Sequence, residues 1–183
     1  MRYIDRVLQK ARIRKAKIFI PPGSYVLDIG CSDGTLFDQL NKRISGGIGI
    51  DLAIEKELHK GKYVLYPGNF PNDFPSQDHL FDVITLLAVV EHIPVNQQTI
   101  LATGCAVNLQ QGGRVIVTAP SPFVDKILDL LLRFNLIDGM SLEQHFGFEP
   151  KLVPTIFLPC GFRLIDHKKF QFGLNNIFVF EKQ

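Results

Sequence analysis

Val26-Leu-Asp-Ile-Gly-Cys-Ser-Asp-Gly-Thr-Leu36 is the stretch from which the rest of the chain is read. A short apolar run carries Asp28 near its end, breaks at Gly30, turns through Gly34 and opens a helix at Thr35. A buried strand that breaks at glycine and feeds a helix brings backbone N–H groups close to a ligand. Further on, Gly47-Ile-Gly-Ile-Asp51 repeats the form as a short strand ending in a carboxylate. An acid at that place accepts both hydroxyls of a ribose. The pair predicts a nucleoside-containing cofactor at the carboxyl ends of parallel strands.

The spacing chooses between cofactors. A dinucleotide site uses Gly-x-Gly-x-x-Gly, whereas Gly30 and Gly34 here enclose Cys31-Ser32-Asp33. Asp28 just before the glycine is also unfavourable beside a diphosphate, because like charges repel. It suits a ligand with a cationic group, and S-adenosylmethionine carries a ribose, an adenine, an ammonium and a sulfonium but no phosphate. At this point the chain resembles the class I S-adenosylmethionine-dependent methyltransferases, whose first motif reads hydrophobic-Leu-Asp-x-Gly-x-Gly-x-Gly. Ser32 stands where the middle glycine usually is. Serine is small enough to keep the close backbone approach but is less comfortable at positive φ.

The resemblance covers residues 22–119 closely and 145–183 loosely. It implies a doubly wound, mostly parallel α/β sheet of seven strands in a single domain, residues 1–183, with S-adenosylmethionine as cofactor. It assigns Asp28 to orienting the pocket and the cofactor ammonium. Gly30, Cys31, Ser32 and Gly34 become the floor under the methionine portion, Asp51 the ribose acid, and Leu52 the side chain on adenine. Gly68-Asn69-Phe70 matches the third motif, with Asn69 in place of the acid that meets the adenine amino group and Phe70 placed to stack. Phe81-Asp-Val-Ile-Thr-Leu-Leu-Ala-Val-Val-Glu-His92 resembles the fourth, in which Leu87 corresponds to the residue lining the cofactor near its sulfur. Some members carry a metal-binding Glu three residues before the Glu-His pair. Ala88 occupies that position, so no metal is expected.

Composition sets the outer bounds. The chain's 183 residues are enough for one full core, with 46% hydrophobic and 21% charged residues and a net charge of +2. That charge is too mild to indicate nucleic acid. The three cysteines, Cys31, Cys105 and Cys160, offer neither a disulfide framework nor a zinc spacing. With no apolar run long enough for a span and no signal-peptide core, a cytoplasmic protein is expected. Residues 2–17 hold seven basic residues against Asp5 alone, and Ile4, Val7, Leu8, Ala11 and Ile18 fall near one helical stripe. Residues 1–20 are therefore read as an amphipathic helix on the sheet edge, with Arg12 or Arg14 as candidate caps for the cofactor carboxylate and a membrane-surface role as a further alternative.

Along the chain, strands are expected at 25–29, 48–51, 63–66, 81–87, 114–119, 162–166 and 176–181. Helices are expected at 35–42 and 96–109, with a weak one at 53–59. Residues 120–150 interrupt the alternation with the apolar segment Phe123–Ile137, read either as a core or dimer helix or as a lid over the acceptor.

Methyl transfer from a sulfonium is an in-line displacement that gains chiefly from alignment, and a hydroxyl acceptor gains further from a general base. His92, just past the fourth-motif strand, and His145, in Glu143-Gln-His-Phe-Gly147, are the candidate bases. His59, His79 and His167 read as surface residues, and Glu91 as a structural charge. The leading expectation is methylation of a small molecule at oxygen, with a hydrophobic or sugar-like acceptor. The departures at Ser32, Asn69 and Ala88 leave a non-catalytic cofactor-binding or interaction protein as the alternative. A nicotinamide oxidoreductase is a third reading, disfavoured by the glycine spacing. Oligomeric state and acceptor identity are not encoded in any motif.

Overall fold

The structure, a computed structural model, describes residues 3–75, 78–121 and 148–183. The expected lid and His145 fall on residues 122–147 and lie outside the described residues.

Among the described residues eight strands form one sheet: β1 (Tyr25–Ile29), β2 (Gly46–Asp51), β3 (Leu58–Lys60), β4 (Tyr63–Pro67), β5 (Phe81–Leu87), β6 (Leu109–Pro120), β7 (Phe162–Phe170) and β8 (Asn175–Lys182). Their spatial order is β3-β4-β2-β1-β5-β6-β8-β7. The pairs β1–β2, β1–β5, β2–β4 and β5–β6 run parallel. The antiparallel pairs are β3–β4, β6–β8 and β7–β8. Helices are α1 (Tyr3–Ala16), α2 (Thr35–Leu40), α3 (Val95–Asn108) and α4 (Val153–Phe157).

Strand β1 is buried from Val26 to Ile29 because β2 and β5 flank it and helices cover both sheet faces. On one face Ile13, Ala16 and Ile20 meet Val26, Val83, Ile116 and Val179. On the other, Leu101, Ala102 and Cys105 of α3 and Phe157 of α4 meet Leu27, Ile84, Val117 and Phe180. The glycines of β2 let α2 sit close. A Cβ on Gly47 would lie 2.4 Å from both the Phe37 ring and the Val26 carbonyl oxygen.

The extra strand replaces the weak helix expected at 53–59. Asp51 Oδ1 accepts the Ala53 N–H at 2.8 Å and Ile54 N–H reaches the Asp51 carbonyl, so the chain turns at once. Gly61 then reverses it in the left-handed region (φ +57°), and β3 pairs with β4 as an exposed hairpin. Only Ile54 and Leu58 gave that segment helical apolar spacing, too little to compete with the turn. Strand β6 begins at Leu109 rather than 114, its pairing with β5 shifting register between Phe81 and Val83, with Gly112 at φ +73°. No helix of the described residues is long and apolar enough to cross a membrane.

Candidate functional site

A cavity of about 280 Å³ opens at the carboxyl ends of β1, β2 and β5. Ile29 and Gly30 form its base, Asp51 and Leu52 one wall, Gly68, Asn69 and Phe70 another. Ala88, Val89 and His92, on the chain leaving β5, complete the opposite side. The sequence motifs are thus brought together from four separate loops.

Gly30 is required twice. Its φ is +74°, and an added Cβ would stand 2.4 Å from a Val89 methyl. The next positions shape the loop rather than border the cavity. Ser32 adopts φ +50°, and its N–H donates to Asp51 Oδ2 at 2.7 Å. Gly34, at φ +81°, starts α2. Cys31 points into the core under Gly49, where an added Cβ would meet its sulfur at 2.6 Å, and burial pushes its thiol pKa far up. Its role is packing, not nucleophilic chemistry.

Asp51 is the hinge of the arrangement. Oδ2 accepts from Ser32 and Oδ1 from Ala53, so the carboxylate fixes both loops around it. A carboxylate has about four lone-pair sites. Two N–H groups leave two for a pair of vicinal hydroxyls. Leu52 beside it is 76% exposed, an apolar side chain with nothing yet packed on it. Asn69 borders the same wall. Its N–H donates to Asp73 Oδ2 at 2.8 Å, and the Asp73 N–H returns to its carbonyl at 2.9 Å. Phe70 is buried, packs edge-to-face with Phe74, and borders the cavity.

Asp28 does not border the cavity. It lies at 4% exposure in β1, where Thr85 Oγ donates to its Oδ1 at 2.6 Å. Burial pushes its pKa up to about 7, opposed by the Thr85 hydrogen bond and reinforced by the negative charge of Asp51. Leu87 packs with the α1-side cluster, away from the cavity, because alternate residues of β5 face opposite sides. Ala88 and Val89 take the place expected for it. Ala88 sits at φ +61°, its N–H bonded to both Oγ and the carbonyl of Thr118. That turn has no signature in the side chain of alanine, which is why the sequence did not reveal it. His92 is exposed on the cavity rim, beside the buried Glu91. Neither Arg12 nor Arg14 borders the cavity. Among the described residues no group of three His, Cys, Asp or Glu could hold a metal ion.

These residues fit a nucleoside sulfonium: a carboxylate edge for a ribose, an apolar shelf for a base, backbone at Gly30, and, among the described residues lining the cavity, no cationic clamp for a diphosphate. A family model described as methyltransferase domain matches residues 2–151. The ubiquinone biosynthesis O-methyltransferase of Idiomarina loihiensis is 31% identical over 137 residues, covering 70% of this chain and 52% of that protein. The protein of the same name from an Azoarcus strain is 33% identical over 105 residues, covering 51% of this chain and 42% of that one. The chain spans about half the length of these curated relatives. In fold it is similar to magnesium protoporphyrin IX methyltransferase from Synechocystis with bound SAH (TM-score 0.65, 15% identity, 97% of this chain and 83% of that one). It is also similar to a TehB-like SAM-dependent methyltransferase from Corynebacterium glutamicum (TM-score 0.67, 16% identity, 97% and 94%). With its motifs gathered in this order around one cavity and the family match running through them, the chain belongs to the methyltransferase-domain family.

Proposed function

We propose that this protein binds S-adenosylmethionine in the Asp51 cavity and transfers its methyl group to a hydroxyl oxygen of a small organic acceptor. The observation that carries the reading is Asp51 itself. It ends β2 at the cavity wall with half of its lone pairs engaged by Ser32 and Ala53, beside the exposed Leu52. The names of the relatives, which are O-methyltransferases, support oxygen as the acceptor atom.

The cofactor supplies an electrophilic methyl on a positively charged sulfur. The chain's residues do the rest. Asp51 would accept the ribose hydroxyls, Leu52 and Phe70 would line the adenine side, and the Asn69 side-chain oxygen would be available to its amino group. Gly30 forms the floor and Val89 the side opposite Asp51. With the cofactor bound, its methyl would pass to the acceptor oxygen with the sulfur as leaving group, and the acceptor proton would have to be taken up. His92, on the rim, is the described residue placed to take it.

Calorimetry with S-adenosylmethionine and S-adenosylhomocysteine tests the reading, with Asp51→Asn and Asp51→Ala as controls. Micromolar binding by the wild type, weakened at least about tenfold in either variant, is expected. A folded wild-type protein that binds neither compound would show that the motifs mark ancestry alone.

A further inference from the structure

A second, larger cavity of about 580 Å³ lies on the same side of the sheet, against β7 and β8. Its lining includes Ser121, Lys151, His167, Lys169, Phe172 and Asn176. Strand β6 ends at Pro120 opposite Asn175, and β7 ends at Phe170 opposite the same residue. The cavity therefore opens at the edge of the sheet where the Asp51 cavity opens. Phe178, which lines it, belongs to the apolar cluster that contains Ile29, Ile50, Phe70 and Leu101 beneath the first cavity. Three strand spacings separate β5 from β7, about 14–15 Å at the usual distance.

Its polar wall is organised from behind. Asn176 and Ser121 are buried. Asn176 Nδ2 donates to Ser121 Oγ at 3.0 Å, and Ser121 Oγ donates to the Gly173 carbonyl at 2.6 Å. With its amide nitrogen so engaged, Asn176 offers Oδ1 to His167 Nε2 at 3.1 Å, which places the imidazole proton on Nε2. The ring is held flat on Phe178, centroids 4.1 Å apart and planes 4° apart. Lys169 has no ion-pair partner among the described residues, while Lys151 is paired with Glu149. In the turn from β7 to β8, Gln171 and Phe172 hold the unfavourable left-handed conformation (φ 50° and 57°) ahead of Gly173 (φ 84°). Phe172 is fully exposed and lines the cavity. Left-handed backbone at a bulky aromatic is unfavourable and persists where the surroundings impose it.

On the strength of the proposed methyl transfer, we infer that this second cavity is the acceptor site and takes a flat, apolar molecule with an anionic end. Phe172 stacks on its face, the Lys169 ammonium meets its carboxylate, and the far end reaches the Asp51 cavity over the ends of β6 and β5. The acceptor is therefore elongated, and the anion lies away from the oxygen that is methylated.

The test uses 2-naphthoate as probe and its uncharged amide as comparison, with binding to the full chain followed by calorimetry. Lys169→Ala is expected to weaken naphthoate about tenfold and to leave the amide unchanged. Phe172→Gly is expected to weaken both about fivefold. Because glycine accepts the left-handed turn, that variant's melting temperature is expected to be no lower than the wild type's. S-adenosylhomocysteine binding is expected to be the same in all three proteins. Naphthoate that does not bind, or that binds both variants as well as the wild type, overturns the inference whatever S-adenosylhomocysteine does. Naphthoate binding with this mutational pattern in a protein that fails to bind S-adenosylhomocysteine upholds the ligand site and removes the proposed activity.

Discussion

Burial in β1 pushes the Asp28 carboxyl up to about 7, against the pull of the Thr85 hydroxyl. In the unfolded chain the same group titrates at about 4. Between these values the folded protein holds a proton that the unfolded chain has released, so folding is favoured at the acid end. This stabilisation is complete below about pH 4 and is lost as pH rises through about 7. An asparagine at this position would have no proton to lose. The advantage of Asp28→Asn over the wild type in urea unfolding should therefore grow by on the order of 1 kcal/mol per pH unit across that window and be level above it. Stability curves that run parallel from about pH 4 to about pH 8 would contradict the assignment. At this scale the sequence motif was informative about identity and less so about direction. Gly30, Asp51, Leu52, Asn69 and Phe70 all border the cavity. Cys31 and Leu87, adjacent to such residues in the chain, face the core instead. A motif records which residues lie near a turn, but the pleat decides which way each side chain points.

The elements differ in how far they could be read. β1 and β5 follow from continuous apolar runs, because both faces of the central strands are covered. β3 was not legible. Its three residues are exposed and it exists through the turns on either side of it, one made by the Asp51 carboxylate and one by Gly61. The packing of α2 on β2 makes a sharp demand. Gly47 lies under Phe37, which in turn stacks on Tyr63 at 4.7 Å. Gly47→Ala should cost about 1–3 kcal/mol, because the clash includes the fixed Val26 carbonyl and cannot be relieved by a rotamer change alone. A urea midpoint unchanged in that variant would mean that α2 moves away freely, and the close approach would not be a constraint.

For the whole molecule, the two ends of the sheet are unequal. At one end β3 is a short exposed hairpin strand; at the other, β8 is an interior strand bonded to β6 and β7, and it supplies Ile177, Phe178, Val179 and Phe180 to both core clusters. Ending the chain at Leu174 should therefore abolish the cooperative thermal transition, whereas replacing residues 54–60 by a flexible linker should leave it in place. Calorimetry of the two variants checks this, and a truncated chain that still melts cooperatively would show that β6 can close the sheet alone. The parallel half was foreseeable from alternating strands and helices; the count of eight strands was not, since β3 carries no burial signal.

The late position of β8 in sequence and its interior position in space also bear on how the protein is made. During synthesis the N-terminal strands emerge first, and domains generally fold as units from that end. Here β6 must wait with an open edge until residues up to Lys182 are free, because the chain goes on to β7 before its neighbour β8 exists. An apolar strand with an unpaired edge is a template for association with other chains. The interval between the emergence of Pro120 and that of Lys182 is thus when a nascent chain is most exposed to aggregation and most in need of a chaperone.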